Sequence, residues 1–233
     1  MSSSRVVVAM DGPSGSGKSS TARGVATRLG LRYLDTGAQF RAVTAWMLDQ
    51  GVDLDDPAAV AARAHDPEVV SGTDPQAPTI EVDGQDVSER IRSQEVTSHV
   101  SAVASVPEVR ARLLELQRAT IGEGGIVVEG RDIGSVVAPD ADVKAYLTAD
   151  PEARALRRSA ENGDDVAATQ ADLLRRDRID SGRAAAPAVV PDGAVHLDTT
   201  PFTLDEVVDQ VVALVEQART GQEAPGAEQG SRS

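Results

Sequence analysis

The stretch Gly12-Pro-Ser-Gly-Ser-Gly-Lys18-Ser19 fills every fixed position of the phosphate-loop pattern G-x-x-x-x-G-K-[ST]. Its glycines allow the backbone to bend so that successive N–H groups point inward at phosphate oxygens. The Lys18 side chain adds a positive charge toward the phosphates, and the Ser19 hydroxyl can join the shell of a Mg²⁺ ion. The predicted phosphate-binding residues are Gly12, Ser14, Gly15, Ser16, Gly17, Lys18, Ser19 and Ser20, with Ser19 as the predicted metal ligand.

The flanks of this loop indicate a strand before it and a helix after it. Residues 5–10 form an apolar, β-branched run, and residues 19–29 place apolar side chains at helical spacing. The phosphate would then lie at a helix N-terminus, where free N–H groups and the helix dipole favour an anion. The alternative is a Gly- and Ser-rich turn without function, which is disfavoured because motif, strand and helix coincide.

Composition and charge exclude several classes of protein. The 233 residues are 40% hydrophobic, enough for one substantial core, and only 2% aromatic, so that core must be aliphatic. A net charge of −14 argues against a nucleic-acid polymer as partner, because such binding needs positive charge to neutralise phosphates. The absence of cysteine excludes disulfides and Cys-bound zinc. Because the chain also has no signal-type segment and no apolar run of membrane length, we expect a cytoplasmic protein that does not enter membranes.

Short apolar runs alternate with helical segments, which is the pattern of βα units and a parallel sheet. We predict an α/β fold with a five-stranded parallel sheet flanked by helices. The segment 69–105 differs, because prolines interrupt it and Asp83-Gly84 lies within an alternating run that is typical of a β-hairpin. The predicted strands cover residues 5–10, 32–34, 126–129, 143–147 and 195–197. The predicted domains are a core of residues 1–68 and 106–218, a small antiparallel insert at 69–105, and a disordered tail at 219–233.

Arginine is concentrated late in a chain that is acidic overall. Arg154, Arg157 and Arg158 have the spacing of one helix face, so they could converge on one phosphate chain; the alternative is a solvated, salt-bridged face. Arg131 and Asp132 directly follow a predicted buried strand, where open parallel sheets place ligand-binding groups; the alternative is a structural ion pair. The late arginines are Arg154, Arg157, Arg158, Arg175, Arg176, Arg178 and Arg183.

Five motifs extend this pattern along the chain: GPSGSGKSS at 12–20, LDTGAQFR at 34–41, SAVASVPEVR at 101–110, EGRDIGSVV at 129–137 and RRDRIDSGRAAAP at 175–187. Motifs of this kind occur in the same order in bacterial cytidylate kinases, and the chain up to about residue 218 resembles that family of P-loop nucleoside monophosphate kinases. The resemblance implies the P-loop NTPase fold, an insert that binds the acceptor nucleotide, and transfer of the γ-phosphoryl group of ATP to CMP or dCMP with Mg²⁺. A short lid is expected near residues 154–166, and we expect a monomer.

The resemblance also implies roles for individual residues. The residues implied to bind the acceptor fall into three groups by the part of the nucleotide they meet. Thr36 and Asp180 would meet the ribose, Arg41, Arg131, Arg176 and Arg183 the phosphate, and Ser101, Arg110 and Asp132 the cytosine. The implied catalytic set is Lys18, Arg131, Arg157 and Arg158. Two positions depart from the family pattern, with Phe40 where members often have Tyr and Glu129 where some have Asp.

Two other functions remain open from the residues alone. The acceptor could be another small molecule, such as UMP, AMP or a sugar acid, or the protein could be a nucleotide-dependent switch that signals through loop order. Against a switch, the sequence has no N-K-x-D-type guanine signature, and seven late arginines exceed what hydrolysis requires. The three histidines do not cluster with carboxylates at ligand spacing, so no histidine-based site is predicted.

Overall fold

The computed structural model describes residues 5–162, 165–182 and 189–222. Its elements follow in chain order: β1 (Val7–Asp11), α1 (Lys18–Leu29), β2 (Arg32–Asp35), α2 (Thr36–Asp49), α3 (Pro57–Ala62), β3 (Val69–Ser71), β4 (Ile80–Val82), β5 (Gln85–Asp86), a 3₁₀ turn (Arg90–Arg92), α4 (Gln94–Val103), α5 (Pro107–Ile121), β6 (Ile126–Gly130), a π-helical turn (Ile133–Val137), β7 (Val143–Thr148), α6 (Pro151–Asn162), α7 (Val166–Ser181), β8 (Val195–Asp198) and α8 (Leu204–Gln222).

The main sheet is parallel and has the strand order β2-β6-β1-β7-β8. All five residues of β6 are buried, as expected for a strand that helices cover on both faces. The predicted five-stranded parallel sheet is confirmed, and each strand begins and ends within two residues of its predicted bounds. Because β1 lies between β6 and β7, the phosphate loop that follows β1 leaves the sheet at its centre.

Aliphatic side chains fill both faces of the sheet. On one face, Val25 of α1 packs with Val211 and Val215 of α8, and all three are fully buried. On the other face, Leu34 and Val128 lie in a second buried cluster, and α2, α4 and α5 form a third. The expected aliphatic core is therefore present, and it fixes the helices whose ends carry the site.

The segment 69–105 begins with the antiparallel sheet β3-β4-β5, as predicted. Asp83 and Gly84 turn the chain between β4 and β5 with positive φ angles of 51° and 74°. The indole of Trp46 in α2 donates to Asp83 Oδ2 at 2.8 Å, and the guanidinium carbon of Arg63 lies 5.0 Å from the indole centroid. The apolar side chains of this segment join the cluster of α2 and α5, so the boundaries at residues 69 and 105 stay a prediction.

Two local features were not predicted. A π-helical turn follows β6, and both of its first N–H groups donate to the buried Asp11 carboxylate: Ile133 N at 2.7 Å and Gly134 N at 2.8 Å. The last helix continues to Gln222, four residues into the expected tail, and the Thr220 hydroxyl donates to the Gln217 carbonyl there at 2.9 Å. Residues 223–233 lie outside the described residues. No described helix is long and apolar enough to cross a membrane.

Candidate active site

The phosphate loop turns at three glycines with positive φ angles: Gly12 at 144°, Gly15 at 78° and Gly17 at 87°. A Cβ at Gly12 would come within 2.0 Å of the Leu147 carbonyl oxygen, so the loop packs directly on β7 and tolerates no side chain there. Helix α1 begins at Lys18, immediately after Gly17, so its free N–H groups are continuous with those of the loop. This arrangement suits a chain of phosphates.

Lys18 and Glu129 form a buried pair of opposite charge beneath the loop. The Lys18 ammonium donates to the Pro13 carbonyl at 2.8 Å, and Glu129 accepts from the Tyr33 hydroxyl at 2.7 Å and also from the Ser19 hydroxyl. Burial lowers the pKa of Lys18, with a further contribution from nearby Arg131. Burial also raises the pKa of Glu129, with a further contribution from Asp35. A phosphate beside Lys18 and a cation beside Glu129 would each relieve this cost of burial.

The carboxylate and hydroxyl oxygens beside the phosphate loop are of the kind that binds Mg²⁺. Asp35 and Glu129 are register partners at the ends of β2 and β6, and Ser19 donates to Glu129 from the first turn of α1. Mg²⁺ binds through one or two carboxylates together with phosphate oxygens and water. The described residues contain no group of three or more His, Cys, Asp or Glu side chains that could hold a metal.

Glu129 was not among the predicted site residues and stood only as a departure from the family pattern. A carboxylate that closes a fully buried strand next to a phosphate loop is itself a signal for a metal site, and it could have been read from the sequence.

A cleft of about 620 Å³ runs from the phosphate loop to the insert. The predicted residues on its wall are Ser14, Gly15, Gly17, Lys18, Ser19, Ser20, Thr36, Arg41, Ser101, Arg110, Arg131, Asp132 and Arg158. Gly12 and Ser16 lie in the loop behind this wall; Ser16 is buried and its carbonyl accepts from the Thr199 hydroxyl at 3.0 Å. The side chains of Arg176 and Asp180, and Arg183 altogether, lie outside what the structure describes.

Four arginines on the cleft wall lie close enough to act on one another electrostatically and are called the arginine cluster below: Arg41, Arg92, Arg131 and Arg158. Arg41 is held by the Ile91 carbonyl at 3.0 Å and the Thr97 hydroxyl at 2.9 Å. The pKa of Arg41 is lowered to about 10, chiefly by burial and also by the nearby Arg158, Arg131 and Arg92, while Asp35 opposes the shift. Converging cations of this kind indicate an anion site. Sequence reasoning missed Arg92, because only the fold brings the 3₁₀ turn of the insert to this wall.

The far end of the cleft carries a polar pair against an aromatic ring. Arg110 forms an ion pair with Asp132, and both side chains are nearly buried, at 12% and 8% exposed. The guanidinium carbon of Arg110 lies 5.5 Å from the centroid of Phe40, which orients it by a cation–π contact. Ser101 is buried and lines the same end. The end therefore presents a carboxylate, a guanidinium and a hydroxyl to one ligand.

The three arginines of α6 separate rather than converge on one point. Arg154 is buried and donates to the Ser14 carbonyl at 3.1 Å, so the alternative of a solvated face is wrong for this residue. Arg157 donates to the hydroxyl and the carbonyl of Thr199, both at 2.9 Å. Of the three, Arg158 alone lies on the cleft wall. The reason is that α6 lies against the phosphate loop, so two of its arginines meet backbone carbonyls.

The family model and the relatives that match this chain carry the same family name and cover most of its length. The family model described as Cytidylate kinase matches residues 8–217. The chain is 61% identical to a cytidylate kinase of Streptomyces avermitilis over 217 residues, which are 92% of this chain and 94% of that protein. It is 60% identical to a cytidylate kinase of Streptomyces coelicolor over 219 residues, 93% and 95% of the two chains.

A solved structure shares the fold. An uncharacterized protein from Eubacterium ventriosum aligns with a TM-score of 0.52 at 11% identity, over 92% of this chain and 99% of that one. A likeness at this identity concerns the fold alone. The family match, in contrast, covers both the phosphate loop and the strand ends that line the cleft, and the chain belongs to the cytidylate kinase family.

Proposed function

We propose that this protein transfers the γ-phosphoryl group of ATP to CMP or dCMP, giving CDP or dCDP. The observation that carries the proposal is one cleft whose wall includes the phosphate loop, the arginine cluster and the Arg110–Asp132 pair. A donor triphosphate on the loop and an acceptor phosphate on the cluster would face each other across it. Phosphoryl transfer requires this alignment and charge neutralisation, with little covalent work by protein groups.

On the donor side, the loop N–H groups and the start of α1 would hold the phosphates of ATP. Lys18 would exchange its contact with the Pro13 carbonyl for phosphate oxygens. Mg²⁺ would be held by Ser19 and Glu129 with Asp35 adjacent, and it would neutralise negative charge on the phosphates of ATP.

On the acceptor side, Arg41 and Arg131 would bind the phosphate of CMP, and Arg92 joins them in this proposal. The mutual repulsion of the arginine cluster supports an anion as its ligand, since a phosphate between the cations relieves it. Arg158 would reach the transferring phosphoryl group from α6. Roles for Thr36, Arg157, Arg176, Asp180 and Arg183 rest on the resemblance of their motifs.

The far end of the cleft would select the base. Cytosine has an amino donor at C4 and acceptors at N3 and O2, so Asp132 can accept from the amino group and Arg110 can donate to N3, with Ser101 as an adaptable hydroxyl. Uracil reverses the polarity at both C4 and N3. The mispaired groups would cost about 1–3 kcal/mol each, which predicts a preference for CMP over UMP of about 10- to 10⁴-fold in kcat/KM.

We also propose that the protein is a monomer and that it works in the cytoplasm, where ATP is abundant. The net charge of −14 supports small nucleotides, held by local arginines, over a nucleic-acid polymer.

The test is steady-state ADP formation from ATP with no acceptor and with CMP, dCMP, UMP or AMP. We expect turnover only with an acceptor, and fastest with CMP or dCMP. Equal kcat/KM for CMP and UMP would remove the cytosine assignment but not the kinase. ATP turnover that ignores every nucleoside monophosphate would instead favour a nucleotide switch.

A further inference from the structure

Helices α6 and α7, called the α6–α7 pair below, are attached to the rest of the molecule mainly by polar contacts. Their described side chains are absent from the three buried apolar clusters of the protein. Leu156, Leu174 and Ile179 are 52%, 39% and 38% exposed, whereas Ala155 and Leu173 are buried. With only these two of its described apolar residues buried, the hydrogen bonds and ion pairs of its arginines and aspartates contribute much of what places the pair.

Asp177 of α7 lies at the centre of these contacts. Its Oδ2 accepts from Arg154 Nη1 at 2.6 Å, and its Oδ1 accepts from Arg131 Nη1 at 3.3 Å. The Asp177 side chain is 22% exposed, so solvent screens these ion pairs only in part. One carboxylate thus bridges two guanidinium groups that belong to different parts of the site.

The first of these groups is fixed to the phosphate loop. Arg154 Nη1 also donates to the Ser14 carbonyl at 3.1 Å, and its side chain is 6% exposed. A Cβ at Gly15 would lie 3.0 Å from the Cβ of Arg154, so α6 and the loop are in direct contact. A change in the loop on binding a triphosphate would therefore reach Arg154.

The second group belongs to the acceptor side. Arg131 follows β6 and lines the cleft within the arginine cluster, where the proposed function puts the acceptor phosphate. A phosphate bound to Arg131 would contact the same guanidinium that pairs with Asp177. The contacts run without a gap from Ser14 through Arg154 and Asp177 to Arg131.

We propose that Asp177 is a positioning residue that couples the two nucleotide sites, so that a bound donor nucleotide raises the affinity for the acceptor. This inference rests on the proposed function and adds a role to a residue of the RRDRIDSGR motif for which the resemblance implies none. The physical reason is that Arg154, Asp177 and Arg131 must be ordered together. The first nucleotide to bind pays that conformational cost, and the second binds to side chains already in place.

The test measures CMP binding by titration calorimetry with Mg²⁺, in the absence and presence of a saturating ATP analogue with an imido group between the β- and γ-phosphates. The coupling factor is the ratio of the two dissociation constants for CMP. It does not depend on the fraction of active protein, so a partly unfolded preparation cannot imitate the effect. We expect a factor of about fivefold or more for the wild type.

The variants compare two carboxylates on the same helix. Asp177→Asn should lower the coupling factor to below about twofold, because the amide cannot hold two cations. Asp172→Asn is the matched control, since Asp172 pairs with Arg175 at 3.2 Å on the exposed face of α7, and it should keep the wild-type factor. Arg154→Met tests the same link from the other end and should also lose coupling; it decides the matter if Asp177→Asn does not fold.

Two outcomes would overturn the inference while leaving the proposed function intact. In the first, the wild-type protein phosphorylates CMP but its coupling factor lies within twofold of one. In the second, both Asp177→Asn and Arg154→Met keep the wild-type coupling factor. Wild-type protein that neither binds nor phosphorylates CMP would contradict the proposed function itself.

Discussion

At the scale of single residues, Lys18 shows how burial changes the meaning of a motif. The pattern alone suggests an exposed charge in a loop, but the structure buries the side chain and ties its ammonium to the Pro13 carbonyl. Burial lowers the pKa of this ammonium, so its charged form costs free energy in the folded protein. A phosphate, the partner proposed for this group, would offset that cost.

We therefore expect Lys18→Met to lower kcat by about 10²- to 10³-fold, the range for loss of one preorganised charge contact in a transition state. The free energy of unfolding should stay equal or rise, because the variant removes a desolvated charge and keeps the apolar stem. Turnover assays and urea unfolding would measure the two effects. A variant that keeps more than a tenth of the wild-type kcat would contradict the role proposed for Lys18.

Arg110 offers a second test at this scale, because it contacts both Asp132 and the Phe40 ring at the end of the cleft proposed to select the base. Arg110→Met should reduce the CMP/UMP ratio of kcat/KM by about tenfold or more, since the N3 donor is lost. Its KM for ATP should change little, because the phosphate loop is untouched. Arg112→Met on the same helix, whose guanidinium lies 4.0 Å from exposed Glu115, is the matched control. An unchanged ratio would show that other groups select the base.

At the scale of elements, hydrogen bonds join the end of β1 to the π-helical turn. They hold the start of the phosphate loop beside the segment that carries Arg131 and Asp132. Asp11 ends the strand that leads into the phosphate loop, and its carboxylate receives the first two N–H groups of the turn that follows Asp132. Burial raises the pKa of Asp11 to about 6, although the two N–H donors oppose the shift. The ionised carboxylate is thus less stable in the folded than in the unfolded protein.

The sign of the pH dependence follows from this shift. A carboxyl whose folded pKa lies above its unfolded value binds more protons when folded, so its contribution to stability falls as pH rises. As the pH rises from about 5 to about 7.5, ionisation of Asp11 should lower the free energy of unfolding of the wild type by about 1 to 1.5 kcal/mol. Asp11→Asn cannot ionise and should lack this component. Urea unfolding of both proteins across this range measures it, and parallel pH curves would contradict the raised pKa.

The same elements show what sequence patterns can and cannot predict. Strand bounds, the hairpin at Asp83-Gly84 and the phosphate loop depend on local residues, so they were predictable. The contacts of Asp11 with the π-helical turn join residues more than a hundred positions apart and depend on the strand order. Arg92 and Asp177 were missed for the same reason, because no local pattern states which distant group a side chain will meet.

At the scale of the whole molecule, charge is divided between surface and cleft. The chain carries a net charge of −14, yet the cleft wall gathers Lys18 and the arginine cluster. Long-range repulsion between protein and nucleotide is screened within about 10 Å at ordinary salt, whereas the partly buried cations of the cleft are screened much less. The acidic surface therefore need not prevent nucleotide binding, and it favours solubility.

The position of the single tryptophan, Trp46, has a practical consequence for spectroscopy. Its indole N–H donates to Asp83 of the hairpin and its ring is contacted by Arg63, so its surroundings include the hairpin of the insert. Only two tyrosines accompany it, which leaves the ultraviolet emission of the protein dominated by one fluorophore. Intrinsic emission excited at the red edge of tryptophan absorption would thus act as a built-in optical reporter of the hairpin, with no label attached and no residue of the cleft wall altered.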